Sequence, residues 1–258
     1  ETLMRAGDPA STVAQVATRR AAVPDAALAA RAPERPERPF AAALSAPGMS
    51  LIAELKRASP SRGAITPDAR AGEVVAAYER AGAAACSILT EPEHFGGRLE
   101  DLVDARAAVA IPLLRKDFIV DEYQLLEARA AGADAALLIV AALTPERLAA
   151  LIAAADGVGL DALVEVHDLA EVDVAVRAGA RIVGINNRDL ATLEVDTETA
   201  HRLRPAIPAG VLAVAESGIT SREDVARLEE DGVDAILVGE TLMRAGDPAS
   251  TAAELLGR

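Results

Sequence analysis

The 258-residue chain has one cysteine, no tryptophan and no long apolar run. Because Cys86 has no second cysteine to pair with, no disulfide forms within the chain, and a reducing cytosol is the simplest compartment. No uninterrupted stretch of about 18 apolar residues occurs, so we expect no membrane-spanning helix. The first residues also lack the basic and apolar pattern of a signal peptide. These absences predict a cytoplasmic protein with no membrane partner.

Positive charge is scarce as well. The chain has 26 Lys and Arg residues against 40 Asp and Glu residues, which gives a formal net charge of −14. Such a protein repels nucleic acid and anionic membranes, so we expect neither as a partner. A small anionic substrate must then be held by a local cluster of positive groups and backbone N–H donors.

Lysine is the rarest charged residue, and only Lys56 and Lys116 are present. The other basic residues, histidine aside, are arginines, which stay protonated at any working pH. A lysine amine, in contrast, can be tuned to release and regain a proton. Coding bias explains arginine wherever charge alone is needed, and the two lysines that remain are therefore candidates for proton transfer.

What the chain does contain is an alternation of short apolar runs and longer amphipathic stretches from residue 49 onward. The runs are nearly continuously apolar, which is typical of parallel strands buried on both faces. They cover residues 50–56, 85–90, 112–116, 135–140, 162–166, 182–186, 212–216 and 235–239. The helical patterns between them cover residues 69–81, 98–109, 123–131, 145–155, 169–178 and 222–231. Eight strands with intervening helices predict an α/β fold, a closed (β/α)8 TIM barrel over residues 49–258.

An open doubly wound sheet is the structural alternative to a closed barrel. That fold usually has fewer strands and a glycine-rich phosphate turn after the first one. Residues 57–63, which follow the first predicted strand, read RASPSRG and do not match such a turn. The sequence therefore favours the barrel.

Residues 1–48 differ in pattern and predict a short N-terminal helical extension with a linker. Residues 13–22 suit one short helix, and residues 31–39 are rich in proline and charge. Residues 1–12 repeat residues 240–251 letter for letter. Within this copy, burial of Leu3 and Met4 contributes roughly 3–6 kcal/mol, whereas ordering the copied segment costs on the order of 12–24 kcal/mol. We therefore expect residues 1–12 to be mobile.

Polar residues cluster where the predicted strands end, which is where barrels of this kind hold their substrates. Glu54 and Lys56 end the first strand, and a period of two directs both side chains into the barrel mouth. Other strand ends carry Lys116, Glu165, Asn186 and Glu216. Three glutamates around two lysines hold the amines charged, and their mutual repulsion pushes one carboxylate toward its protonated form. The mouth then contains both acids and bases near neutral pH.

The last two strands end in a pattern typical of a barrel phosphate site. Ser217 and Gly218 follow the seventh strand, and Gly239 and Glu240 follow the eighth. Backbone N–H groups and a short helix N-terminus hold the phosphate in such sites. Ser59 and Arg188 add a hydroxyl group and a positive charge.

The histidines and the cysteine point to no further chemistry. His94, His167 and His201 lack metal-ligand spacing, so we expect no metal, and we expect His167 to cap a loop near the site. Cys86 lies inside a predicted strand without a nearby base and is expected to be a small core residue.

Several of these segments together resemble the indole-3-glycerol-phosphate synthase family. They are residues 52–61, 87–91 with Phe95 and Gly97, 114–119, 132–134, 137–139, 163–166, 184–190, 215–219 and 238–240. The likeness runs in order from about Phe40 to the C-terminus without a large gap. The beginning of the N-terminal extension departs from the family pattern, because the copied residues stand there.

The resemblance implies a substrate, 1-(2-carboxyphenylamino)-1-deoxyribulose 5-phosphate, and a reaction in tryptophan biosynthesis that releases indole-3-glycerol phosphate, carbon dioxide and water. No cofactor or metal is implied, and we expect a monomer. Lys116 resembles the general acid of ring closure, and Glu165 resembles the acid/base partner in the loss of water. Lys56 would contact the substrate carboxylate and exchange a proton, while Glu54 and Asn186 would orient these groups.

The resemblance also divides the binding residues into two sets. Phe95, Phe118 and Leu137 would wall the anthranilate ring, and Glu216 and Ser217 would contact the substrate. The phosphate would be bound by Ser59, Arg188, Ser217, Gly218, Gly239 and Glu240, the last two through backbone N–H groups.

Two alternative functions remain open at this stage. Another phosphate-binding barrel, such as a phosphoribosyl isomerase, needs a Cys/Asp or Asp/Asp pair, and Cys86 has no such partner in the pattern. A non-catalytic ligand-binding barrel is expected to have lost Lys116 or Glu165, and both are present.

Overall fold

The computed structural model describes residues 9–31, 39–59 and 63–258, with the side chains of residues 9–11 and 59 outside this description. Eight parallel strands close into a barrel. These strands are β1 Ser50–Leu55, β4 Ala85–Leu89, β5 Leu113–Lys116, β6 Ala135–Ile139, β7 Asp161–Val166, β8 Ile182–Asn186, β9 Leu212–Glu216 and β10 Ala235–Val238. Their order around the barrel is β1-β10-β9-β8-β7-β6-β5-β4. Each strand lies within one residue of its predicted bounds, and the (β/α)8 fold is confirmed. The short strands β2 Ala58–Ser59 and β3 Gly63–Ala64 pair in the loop after β1.

Helices follow the barrel strands as predicted, with bounds within two residues of the sequence patterns. They are α4 Ala71–Arg80, α6 Leu99–Ala108, α7 Glu122–Ala131, α8 Pro145–Gly157, α9 Leu169–Arg177 and α11 Arg222–Glu230, preceded by α1 Pro9–Ala22, α2 Asp25–Arg31 and α3 Phe40–Leu44. The pattern did not predict α5 Pro92–Phe95, α10 Glu198–Leu203 or α12 Glu240–Arg244. The last helix, α13 Pro248–Leu255, has Asp247 as its N-cap and proline at its start, as expected. No described helix is long and apolar enough to cross a membrane.

Strand residues alternate between two apolar layers. Alternate side chains such as Ile52, Leu114 and Leu163 fill the barrel interior, while their neighbours pack against the surrounding helices. Helix α3 places Phe40 and Leu44 in the interior cluster, and its Ala41 N–H donates to Asp161 Oδ2 at 2.9 Å. Because Asp161 begins β7, α3 covers the N-terminal end of the barrel. The C-terminal end stays open for a ligand.

The two N-terminal helices pack against α7. Val16 and Leu28 form a small buried cluster with Tyr123, and Arg19 Nε lies 2.9 Å from Glu127 Oε1. Helix α1 begins at Pro9, four residues before the predicted start, because the last residues of the copied segment join it. Residues 1–8, the rest of the expected mobile segment, and residues 32–38 of the predicted linker lie outside the described residues.

Candidate active site

The first strand places a carboxylate and an amine together at the barrel mouth. Glu54 is 1% exposed in the barrel interior, and its Oε1 lies 2.8 Å from Lys56 Nζ. A Cβ atom on Gly239 would lie 2.6 Å from the same oxygen. Glycine at 239 therefore makes room for Glu54, a role that the sequence interpretation, which assigned Gly239 to phosphate alone, did not foresee.

The second lysine lies between two buried carboxylates. Lys116 Nζ, at the end of β5, is 3.2 Å from Glu165 Oε2 on β7 and 3.4 Å from Glu216 Oε2 on β9. Gly184 of β8 leaves space for this arrangement, because a Cβ atom there would lie 2.2 Å from Glu216 Oε1. The ends of β1, β5, β7 and β9 thus supply the charged groups of one centre, as the strand-end pattern predicted.

Burial and neighbouring charges set different protonation states for these groups. Burial opposes charge on Lys116, but the carboxylates of Glu165, Glu216 and Glu54 hold its pKa above the usual range. Burial likewise opposes charge on Glu165, yet Lys116 and His167 keep the pKa of that carboxyl well below its usual range. For Glu216, burial and the charges of Glu165 and Glu54 outweigh Lys116 and raise the pKa to about 7. Glu216 is therefore the carboxyl that burial, together with like-charge repulsion, pushes toward the protonated form.

An apolar cleft opens directly above this centre. Phe95, Phe118 and Leu137, the three residues expected to wall an aromatic ring, line it together, joined by Ile139, Leu190 and Leu193. Lys56, Lys116, Glu165 and Asn186 line the same cleft. The apolar wall and the charged groups of Lys56, Lys116 and Glu165 thus line one cleft.

A second, polar cleft shares both lysines with the first and lies over β9 and β10. Its lining includes Arg188, Ser217, Gly218, Gly239 and Glu240, which are the residues expected at the phosphate. Ser217 and Gly218 have φ values of 67° and 78°, a left-handed pair that bends the chain around the cleft. The remaining phosphate candidate is Ser59, whose side chain lies outside the described residues.

Asn186 hydrogen-bonds to residues that line the two clefts. Its Oδ1 accepts a hydrogen bond from Ser217 Oγ at 2.8 Å and from the Arg188 backbone N–H at 3.0 Å. The Arg188 guanidinium donates to the Leu193 carbonyl at 2.9 Å. This network holds the loop after β8 over the site.

His167 is the site residue that the sequence interpretation assigned only to a loop. Its backbone N–H does donate to Glu171 Oε2 at 2.7 Å, but its ring also approaches the charged centre, with Nε2 3.4 Å from Glu165 Oε1. The sequence did contain a sign of this position, because His167 lies two residues after Glu165, and residues two apart at a strand end face the same way.

Within the described residues, one cluster has the spacing of a cation site, namely Glu91, Glu93 and His94. The Glu91 carboxylate already accepts backbone N–H bonds from Glu93, His94 and Phe95, where it caps α5. The cluster thus has a structural role, and carboxylates at this spacing do not by themselves imply a metal.

Cys86 is fully buried and packs in the layer between the strands and the helices, not in the mouth. The expectation of a core residue is confirmed. A Cys/Asp acid–base pair of the isomerase type is therefore not available at this position.

Comparison with known proteins shows the family resemblance that the sequence motifs indicated, over nearly the whole chain. The sequence model of the family described as "Indole-3-glycerol phosphate synthase" matches residues 9–255. "Indole-3-glycerol phosphate synthase 2" of Streptomyces coelicolor is 53% identical over 255 residues, covering 98% of each chain. The Mycolicibacterium gilvum "Indole-3-glycerol phosphate synthase" is 50% identical, covering 94% of this chain and 90% of that one. Among solved structures, 3-hexulose-6-phosphate synthase from Salmonella typhimurium aligns with a TM-score of 0.66 at 18% identity, over 81% of this chain and 97% of that one, which shows a shared fold alone.

Proposed function

The chain belongs to the indole-3-glycerol phosphate synthase family, and from that premise we propose how its barrel mouth carries out the reaction. The enzyme is a carboxy-lyase of tryptophan biosynthesis that converts 1-(2-carboxyphenylamino)-1-deoxyribulose 5-phosphate to indole-3-glycerol phosphate, carbon dioxide and water. The observation that carries the proposal is Lys116, held between Glu165 and Glu216 where the apolar and polar clefts meet.

The substrate has an aromatic ring with a carboxylate at one end and a phosphate at the other. The ring lies in the apolar cleft between Phe95, Phe118 and Leu137, which replace its contact with water. The phosphate lies in the polar cleft at Arg188, Ser217 and Gly218, with the backbone N–H groups of residues 239 and 240 on its other side. This orientation places the ribulose ketone next to Lys116.

Ring closure joins the carboxylate-bearing carbon of the aromatic ring to the ketone carbon. The ketone oxygen gains negative charge as this bond forms, and the Lys116 ammonium donates a proton to it. Burial among carboxylates keeps Lys116 charged until that moment, since their negative charges raise its pKa. Lys56 contacts the substrate carboxylate until carbon dioxide leaves and the ring regains its aromatic electrons.

Loss of water then needs an acid for the departing hydroxyl group and a base for one proton of the CH2 carbon beside the ring nitrogen, because the indole product keeps its N–H and gains a double bond between that carbon and the one that loses the hydroxyl group. Glu165 is ionised and supplies the base, because Lys116 and His167 favour its charged form. Lys116, after regaining a proton, supplies the acid. Glu216, with a pKa raised to about 7 by burial and by its carboxylate neighbours, is the group from which Lys116 recovers that proton.

The direct test is formation of the indole ring by the purified protein. Indole fluorescence rises above a low background, because the chain has no tryptophan. Turnover that depends on Lys116 and Glu165 supports the proposal. A protein that binds the substrate without closing the ring would instead be a ligand-binding barrel.

We also propose that residues 1–48 form an extension to the barrel of residues 49–258, and that the enzyme is a cytoplasmic monomer with no nucleic-acid partner. Supporting the extension, Gln15 Nε2 of α1 donates to Glu93 Oε1 at 2.9 Å, next to Glu91 and Phe95, which line the apolar cleft. Deletion of residues 1–12 should leave the elution volume unchanged and lower the melting temperature by less than about 5 °C, because Val16 is the first buried side chain among those of α1 that the structure describes. A larger loss or a new oligomer would mean that the copied residues contribute to the stability of the fold beyond forming the first turn of α1.

A further inference from the structure

The charges at the floor of the mouth balance with the two lysines only while Glu216 is protonated. Glu54, Glu165 and Glu216 are each 1% exposed, and Lys56 and Lys116 are the only lysines of the chain. With all five groups ionised, the floor carries one excess negative charge. That excess would repel the carboxylate of the substrate, and burial makes an uncompensated charge costly.

A third cationic group stands next to this floor. The His167 ring lies between two carboxylates, with Nε2 3.4 Å from Glu165 Oε1 and Nδ1 3.0 Å from Glu171 Oε2. Its side chain is 16% exposed. Both ring nitrogens therefore face acceptors, which is the arrangement that suits a doubly protonated imidazolium. Within the described residues, Nε2 has no directed hydrogen bond, so its contact with Glu165 is an ion pair when the ring is protonated.

We propose that His167 is the third cation of this site, a positioning residue that is anchored by Glu171 and keeps Glu165 ionised with Oε2 turned toward Lys116. The two oxygens of Glu165 then have separate partners, His167 for Oε1 and Lys116 for Oε2. The inference rests on the proposed role of Glu165 in proton transfer.

The surrounding charges favour the protonated ring. Burial lowers the pKa of His167, but its contacts with Glu165 and Glu171 outweigh burial and raise the pKa to about 10. Asp189, in the loop after β8, is the other carboxylate that interacts with the ring. The positive charge is thus present at neutral pH and is lost only as the pH rises toward 10. Its loss removes a charge that favours ionised Glu165.

Nitrogen-15 NMR reads the charge of His167 without using turnover. The chain has three histidines, so single substitutions assign each ring. In the wild-type enzyme, the His167 nitrogens should keep imidazolium shifts at about pH 8, where an ordinary histidine is neutral. Glu165→Gln and Glu171→Gln should each move the titration to lower pH. A neutral His167 ring at about pH 8 in the wild-type enzyme overturns the proposal.

The pH dependence of kcat tests the consequence for catalysis. Glu171→Gln removes an anchor that does not line either cleft, and the alkaline fall of kcat should move down by about 1–2 pH units. His167→Gln keeps a donor but not the charge, and should lower kcat about tenfold or more with a smaller change in KM. His201→Gln is the matched control, since His201 pairs with Asp231 on the outer helices, and it should keep the wild-type profile.

The outcomes separate this inference from the function on which it rests. An alkaline limb in Glu171→Gln that coincides with the wild-type limb would refute the positioning role of His167. Full turnover by Glu165→Gln would instead refute the role of Glu165, while the NMR titration still reports whether His167 is charged.

Discussion

The substitution Gly184→Ala, which adds one methyl group inside the barrel, should strongly reduce the activity of this enzyme. Gly184 lies in β8, and a Cβ atom there would stand 2.2 Å from Glu216 Oε1 and 3.3 Å from Leu163 Cδ1. Glu216 has little freedom to move away, because it is buried and its Oε2 lies 3.4 Å from Lys116 Nζ. Gly184→Ala therefore has to displace the carboxylate, the backbone of β8, or both.

The expected loss follows from the size of that displacement. Overpacking of a tight interior costs about 1–3 kcal/mol, which lowers the melting temperature by roughly 2–12 °C for a chain of this size. A shift of about 1 Å in a catalytic group costs on the order of 100-fold in rate. We thus expect Gly184→Ala to fold, to melt earlier, and to lose about two orders of magnitude in kcat/KM.

Two further variants make the test specific. Gly157→Ala, at the end of α8, places its methyl group where no heavy atom lies within 4 Å, and should leave both melting temperature and turnover unchanged. Adding Glu216→Ala to Gly184→Ala removes the clash and should recover part of the lost melting temperature without restoring turnover. Wild-type stability and turnover in Gly184→Ala would refute the packing argument.

Two other predictions concern the charged centre. Glu165→Gln should lower kcat with little change in KM, because the charged form of Glu165 acts in proton transfer rather than in binding. Steady-state kinetics measure both constants, and a rise of KM alone would assign the residue to binding. Glu216→Gln should match the wild-type melting temperature at about pH 4 and exceed it at about pH 8. Burial raises the pKa of Glu216 from 4.5 to about 7 in the folded state, so the carboxyl is neutral in both states at the lower pH and costs stability increasingly as the pH rises from 4.5 to about 7. A stability difference that does not depend on pH would contradict that protonation state.

The barrel and most of its charged centre could be predicted because both are local in sequence. A buried parallel strand reads as a continuous apolar run, and its last residues fall at the mouth whatever the rest of the chain does. Lys56, Lys116 and Glu165 were found in this way. Helix α10 was missed because it is six residues long and follows a polar loop, so its apolar face is too short to show a period.

The rest of the site depends on contacts between distant residues. Gly184 and Gly239 matter because Glu216 and Glu54 from other strands occupy the space beside them, and no property of a lone glycine reveals its neighbour. The role of His167 depends on Glu171, four residues away across a turn, and on the direction in which Glu165 points. The start of α1 at Pro9 likewise departs from the prediction, since the copied residues were judged by their composition and not as the first turn of the following helix.

The central claim is that Lys116 acts as a proton donor and not only as a positive charge. Single-turnover indole fluorescence with Lys116→Arg tests it most directly, because arginine keeps the charge between Glu165 and Glu216 but does not release a proton in the working pH range. We predict that ring closure by Lys116→Arg falls by about 10²–10⁴-fold, close to the loss in Lys116→Ala. Ring closure by Lys116→Arg at a rate near that of the wild-type enzyme would show that charge alone suffices, and would contradict the account.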